Sequence, residues 1–286
     1  MINNHRIQES RVLALIITYN PDIVLLQKNV QALKNQVDMI LIMDNASKNV
    51  SDISEKIIEG TDIKLISNKE NLGLPTNYNR AAEIAACEKY QWLLIMDQDT
   101  VVPGNLIASY LQCAERFFPA IITPVFWDIN KKAYQEPFKS IPEERYTKVD
   151  RCMGSASLNR VDVIQELGGY DEKLFIDYAD FEYCYRVIKN GYNIIRVNNC
   201  VVEHRLGKAK EQHFLGITLT LRNYPPIRYY YIIRNLVYLA RKHSSFSEYL
   251  YAISILLKAI IKVKYEAQTK EKREMLLKGF KDGRKL

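Results

Sequence analysis

The sequence predicts an α/β fold, a Rossmann-like doubly wound sheet with a helical C-terminal extension. Three observations lead there. Four short runs, residues 12–17, 39–43, 63–66 and 92–96, are almost wholly apolar, the pattern of strands buried on both faces of a parallel sheet. Helical spacing and short connections separate them, which calls for parallel pairing through helical crossovers. Polar clusters close the first, second and fourth runs: Thr18-Tyr19-Asn20, Asp44-Asn45-Ala46-Ser47 and Asp97-Gln98-Asp99-Thr100. Open α/β sheets bind their ligands beyond those carboxyl ends.

Taken in order, the first strand is followed by a helix over 22–36, with Ile23, Leu26, Val30 and Leu33 on one face. The second and third strands lead to a turn over 68–74 and a helix over 75–87. The fourth strand precedes a helix over 105–118. From Ile121 the texture changes, and the polar stretch 128–148, with Pro137 and Pro142, reads as a hairpin and loop over the sheet. A strand is expected over 151–159, interrupted by Gly154-Ser155, then a turn at 168–171 and a helix over 180–189. A strand over 193–197 and a polar loop over 204–210 follow. Beyond Ile227 the chain reads as mostly helical, which divides it into an α/β domain over 1–215 and a helical region over 216–286.

With 48% apolar and 26% charged residues in a chain of 286, a sizeable core is expected and disorder is not. Net charge is +7, and residues 258–286 hold ten basic against four acidic side chains, a surplus of six. A basic end suits nucleic acid or an anionic membrane surface. Nucleic-acid binding would need a basic, aromatic reading surface, whereas here acids occupy the strand ends and the positive charge is terminal. Nucleotidyl transfer, a rival enzyme class, would need a glycine-rich, basic phosphate loop after the first strand; Thr18-Tyr19-Asn20-Pro21 offers neither. Five cysteines without metal-ligand spacing point to a reduced, cytoplasmic setting. The N-terminus lacks the pattern of a signal peptide, and no apolar run has the length of a membrane span.

Asp97 and Asp99 stand at i and i+2 where a strand ends. Two hard oxygen ligands there suit Mg²⁺ or Mn²⁺ completed by substrate phosphates. The structural alternative is that Asp99 or Thr100 caps a helix starting near Pro103.

Together these stretches resemble the family 2 glycosyltransferases, inverting enzymes of the GT-A fold. The matches run in order: Thr18-Tyr19-Asn20; Asp44-Asn45-x-Ser47; Asn71-x-Gly73 with Asn77 and Asn79; Asp97-x-Asp99; Gly154-Ser155; Asp180 within Asp177-Tyr-Ala-Asp180-Phe-Glu182; Arg186; Gly191-Tyr192; and His204. Arg228-x-Tyr230 with Arg234-Asn235, and His204-Arg205-Leu206-Gly207, look more narrowly like its bacterial rhamnosyltransferases.

The resemblance implies a metal-dependent transferase that moves a sugar from a nucleotide-diphosphate donor to a hydroxyl of a glycan or lipid-linked acceptor in cell-surface polysaccharide synthesis. The donor expected is dTDP-β-L-rhamnose, with a UDP-sugar as runner-up. Thr18, Tyr19, Asn20, Asp44, Asn71, Asn77, Asp97 and His204 are the expected donor contacts, Asp44 accepting from the base N–H. Asp99 would ligate Mg²⁺ or Mn²⁺ directly, with Asp97 and His204 completing the metal shell. Asp180 is the general base, since the attacking hydroxyl must lose its proton to a carboxylate on the acceptor side. Asp177 and Glu182 are its rivals, and Gly154, Ser155 and Asp177 are assigned to the acceptor side. The family often places Glu before its base; Ala179 stands there in this chain.

In the helical region Tyr249, Ile253, Leu256, Ile260 and Val263 share one face, widened by Leu250, Leu257 and Ile261, with Ser254, Lys258 and Lys262 opposite. Such a helix packs on its own domain or in a homodimer, or lies peripherally on the anionic inner face of the cell membrane.

Overall fold

The structure is a computed structural model, and it describes residues 10–130, 132–134, 140–204, 210–214, 217–243 and 246–286. Its first half alternates β1 (Val12–Thr18), α1 (Ile23–Leu33), β2 (Met39–Asp44), α2 (Val50–Ile53), β3 (Lys64–Ser67), α3 (Gly73–Cys87) and β4 (Trp92–Asp97). A π-helical turn over Ser54–Ile58 continues α2. Asp22 starts α1 by accepting from the N–H groups of Val24 and Leu25 with its carboxylate, a standard cap. Strand β1 pairs in parallel with both β2 and β4, and the register sets Thr18 opposite Asp44 and Ile17 opposite Asp97. The three polar strand ends therefore meet at one edge of the sheet.

The two-sided apolar pattern has its expected cause. Val12, Ala14 and Ile16 enter one core with α1 and α4 (Leu106–Phe117), whereas Leu13, Leu15 and Ile17 enter the other with α3, α5 (Val161–Glu166) and α6 (Ala179–Lys189). Side chains of a strand alternate between faces, so a strand covered on both sides has no polar position to spare.

The second half adds β5 (Ile121–Asp128), β6 (Ala133–Tyr134), β7 (Tyr146–Val149), β8 (Ser157–Arg160) and β9 (Ile194–His204). The main strand order is β3-β2-β1-β4-β8-β5-β9-β7, and β8 runs antiparallel to both β4 and β5. The sheet is mixed beyond its first four strands rather than parallel throughout. The strand expected over 151–159 shrinks to β8: residues 151–156 form a loop in which Ala156 has φ +54°. Strand β9 outlasts its expected end at 197, passing a register shift opposite Pro124 and Val125 to reach His204 beside Asp128. Neither Asp99 nor Thr100 caps α4. That helix begins after Asn105, and the Thr100 hydroxyl instead accepts from Ser155 at 3.2 Å.

Strands β10 (Lys210–Phe214) and β11 (Ile217–Leu221) form an antiparallel ribbon, so the division expected at 215/216 falls between two paired strands. Helices α7 (Pro226–His243), α8 (Phe246–Val263) and α9 (Thr269–Gly283) follow. A Cβ on Gly279 or Gly283 would come within 2.5 or 2.4 Å of the carbonyls of Tyr230 and Arg234, so glycine permits the close crossing of α9 over α7. A buried Lys272–Glu266 pair at 2.8 Å, completed by Tyr229 and Asn223, ties α9 and the connection before it to α7 and the segment leading into it. No described helix is long and apolar enough to cross a membrane. All five cysteines are free thiols.

Candidate active site

A cavity of about 770 Å³ opens over the polar strand ends. One end is lined by Tyr19, Asn45, Asn71 and Gly73, the middle by Asp97, Gln98 and Asp99, and the far end by Gly154, Ser155 and residues 175–181. Helix α7 and the segment before it add Arg222, Tyr224, Arg228 and Ile232.

At the first end the predicted residues divide between wall and foundation. Tyr19 is 52% exposed, on the cavity rather than in the core, and its N–H donates to Gln98 Oε1 at 2.8 Å. Asp44 is fully buried. Its carboxylate accepts from the Thr18 hydroxyl and the Ser47 N–H, both at 2.8 Å, and from the Ser47 hydroxyl. The side chains of Asp44 and Thr18 thus knit β1 to β2 beneath the cavity. Asn20 adopts φ +48°, donates from its backbone to Ser47 Oγ at 2.8 Å and caps Lys48 N–H at 2.9 Å.

Asn77 is also buried. It donates to Asn45 Oδ1 at 2.8 Å and to the Gly73 carbonyl at 2.6 Å, while accepting from Asn68 at 2.9 Å. Together with Asn71, which accepts from Gly73 N–H at 2.9 Å, these amides hold the 68–73 turn against α3. Among the turn residues, Asn71 faces the cavity and Asn77 supports it from below. Asn79 points away, bridging to Tyr170 and Glu172.

Asp97 and Asp99 both line the middle of the cavity. The Asp97 backbone is fixed by Ser155 Oγ at 3.3 Å and by Asn29, which donates to its carbonyl at 2.7 Å. Among the described residues no acidic, histidine or cysteine side chains gather in threes around a metal-sized space. A pair of carboxylates facing open volume still matches a divalent cation that takes its remaining ligands from diphosphate and water. The His204 side chain lies outside the described residues. Its backbone ends β9, and its neighbour Glu203 bridges to Val101, two residues past Asp99.

At the far end Asp180 stands in the first turn of α6. Gly154 N–H donates to its Oδ2 at 3.0 Å and Phe181 N–H to its Oδ1 at 2.9 Å. Burial pushes the Asp180 carboxyl up to about 6, the Asp177 charge adds to this, and the two N–H donors partly offset it. The Gly154 backbone and the carboxylate are therefore in direct contact. Ser155 is buried and serves the wall through Asp97 and Thr100. Tyr78 sits nearby, its phenol pushed well above the ordinary range by burial and by the charges of Asp97 and Asp180.

The rival carboxylates are otherwise occupied. Glu182 is buried away from this cavity and held by Arg186 at 2.8 Å and Lys242 at 2.7 Å. Asp177 faces the cavity but is clamped by Arg228 in two bonds of 2.9 and 3.2 Å. The loop that carries it is strained, with Phe175, Asp177 and Tyr178 at φ +58°, +62° and +68°, conformations that cost non-glycine residues free energy unless neighbours impose them. Helix α7 imposes them: Asn235 donates to the carbonyls of Leu174, Ile176 and Asp177 at 2.8, 2.7 and 3.0 Å. Gly73 completes the seat, since a Cβ there would come within 2.5 Å of the Phe175 carbonyl. Gln98, Tyr78, Arg228 and Asn235 were not assignable from sequence. For the last two the only sign was the Arg228-x-Tyr230 and Arg234-Asn235 cluster.

Residues 14–178 match the model of glycosyl transferase family 2. Asp180 lies just past that stretch. The chain is 25% identical over 254 residues to the dTDP-rhamnosyl transferase RfbF of Shigella flexneri, covering 82% of this chain and 81% of that one. It is 26% identical over 157 residues to the uncharacterized protein Rv1525 of Mycobacterium tuberculosis, covering 51% and 59%. Residues 1–349 of TarS from S. aureus superpose with a TM-score of 0.57 at 12% identity, covering 96% of this chain and 71% of that one. GalNAc-T7, crystallised with UDP, GalNAc and Mn²⁺, gives 0.62 at 15%, covering 98% and 57%. These structures share the GT-A fold. With the family match spanning more than half its length, the chain belongs to glycosyl transferase family 2 and is a glycosyltransferase.

Proposed function

We propose that the chain transfers L-rhamnose, with inversion, from dTDP-β-L-rhamnose to a hydroxyl of a lipid-linked glycan. The observation that carries the reaction is Asp180, a carboxylate lining the same cavity as the polar strand ends. The acceptor hydroxyl gives its proton to Asp180 as its oxygen bonds to the anomeric carbon. The bond from that carbon to the diphosphate oxygen breaks on the opposite face, and dTDP leaves. Asp97 and Asp99 would hold Mg²⁺ or Mn²⁺, which when bound neutralises the leaving diphosphate as a Lewis acid. Tyr19, Asn71 and Asn45 edge the nucleoside end, and the buried Thr18–Asp44–Ser47 cluster keeps that end rigid. The donor sugar rests on the relative named as a dTDP-rhamnosyl transferase.

The membrane-facing acceptor is supported by α8. Ala259 and Val263 are buried with Leu256 against α7, whereas Leu250, Ile253, Leu257 and Ile260 are 43–56% exposed at helical spacing. That apolar stripe precedes the basic stretch and suits the cytoplasmic leaflet of an anionic membrane. A release assay with dTDP-β-L-rhamnose, UDP-glucose and UDP-galactose, each with Mn²⁺ and with Mg²⁺, tests the donor. Faster turnover of a UDP-sugar would replace rhamnose in this reading.

A further inference from the structure

A second cavity, of about 530 Å³, adjoins the acceptor end of the first. The two share Tyr178, Phe181 and Tyr251, and none of the nucleotide-end residues lines the second. The shared aromatics form a ledge: the rings of Tyr178 and Phe181 meet edge to face at 6.1 Å, and the Arg151 guanidinium lies 5.9 Å from the centres of both Phe181 and Tyr251. Beyond the ledge the cavity is lined by Tyr185, whose ring packs on His243 with centroids 4.0 Å apart, by Lys189, 6.0 Å from the centre of that ring, and by Asp150. Glu182 at its wall is engaged by Arg186 and Lys242.

A pyranose presents an apolar C–H face and a rim of hydroxyls. Aromatic rings match the face, and charged side chains at their edges match the rim. A monosaccharide acceptor meeting Asp180 would leave the second cavity unused. We infer that the acceptor is an oligosaccharide of at least two sugar residues, the first presented to Asp180 and the next crossing the Tyr178–Phe181–Tyr251 ledge into the second cavity. This rests on the transferase reading above. The ledge takes Tyr251 from α8, so the C-terminal helices then contribute to acceptor choice.

A glycan array printed with mono- to hexasaccharides, probed by the full chain saturated with dTDP and Mn²⁺, tests the inference. The features retained should all be disaccharides or longer. Arg151→Ala, at an exposed position, and Tyr185→Ala should each weaken that retention roughly tenfold, the loss of one charge-assisted or aromatic contact, with dTDP affinity unchanged. Monosaccharides retained as well as oligosaccharides, equal retention by both variants, or no glycan retained by a protein that binds dTDP would each overturn it. A protein that binds neither dTDP nor UDP would instead defeat the transferase reading.

Discussion

Asp180 carries two consequences at the scale of the single residue. Replacing it with Asn keeps the shape and the Gly154 contact but removes the proton acceptor, so kcat should fall by roughly 10²–10⁴ with dTDP affinity little changed. Normal transfer by Asp180→Asn alongside a dead Asp177→Asn would reassign the base. Because its carboxyl is raised to about 6, the base is deprotonated only above that pH. The acceptor kcat/KM should therefore climb tenfold per pH unit below about 6 and level off above it. The stability linkage has the opposite sense. A carboxyl whose folded value lies above its unfolded value of about 3.9 favours the protonated form in the fold, so stability declines as pH rises from about 4 to 6. Asp180→Asn removes that decline, and its melting temperature should exceed the parent's more at pH 7 than at pH 4. Asp99→Ala, at an exposed strand-end position, should leave the melting temperature within a degree or two while abolishing Mn²⁺-dependent dTDP binding. Undiminished transfer by wild type in EDTA would count against metal on this pair.

At the scale of the element, the proposed base follows a loop that cannot hold its own shape. Residues 172–178 take three left-handed conformations without glycine, and one amide on α7 accounts for three of the hydrogen bonds that stabilise them. Asn235→Ala leaves those carbonyls short of a donor and should cost about 1–3 kcal/mol of stability. It should also lower kcat several-fold with a smaller effect on the dTDP dissociation constant, because Asn235 donates only to the loop, which reaches the nucleotide end indirectly, through Leu74 N–H on the Phe175 carbonyl at 2.7 Å and the close approach of Gly73. A variant that loses dTDP affinity in proportion to activity would show that the loop shapes the whole cavity instead. Helix α7 is therefore part of the cavity wall, although it stands in the helical region beyond residue 216.

At the scale of the molecule, the C-terminal helices face two ways. Their inner side packs through Gly279, Gly283 and the buried Lys272–Glu266 pair, and their outer side shows the apolar stripe of α8. Pairing Lys272 with Glu266 cancels one charge of each sign, so the surplus of six in 258–286 stays at the surface. Attraction of about 1 kcal/mol per basic residue near an anionic surface predicts that the chain sediments with anionic but not zwitterionic vesicles. High salt should release it. A chain ending at 244 should remain in the supernatant and keep dTDP binding, while losing transfer because α7 has lost α9. Indifference of the full chain to anionic vesicles would leave the stripe to a second copy of the chain.

Much of the fold follows from local chemistry in the sequence. Runs such as 12–17 and 92–96 have no polar position because both faces are covered, and the strand ends follow directly from where those runs stop. The parallel pairing of the first strands and the gathering of the polar ends of β1, β2 and β4 on one side of the sheet were legible for that reason, as was Asp180 at the start of a helix. Partnership was decided only by the tertiary structure. Nothing in the sequence says that Asp44 spends its carboxylate on Thr18 and Ser47, that Asn77 supports a turn from beneath, or that Glu182 is claimed by Arg186 and Lys242. The antiparallel insertion of β8 likewise depends on long-range pairing with β4 and β5, which residue spacing does not encode. Most of all, Asn235 reaches a loop some sixty residues away. A single amide in a helix has no periodicity to betray it, and its role exists only once the chain has brought the loop to it.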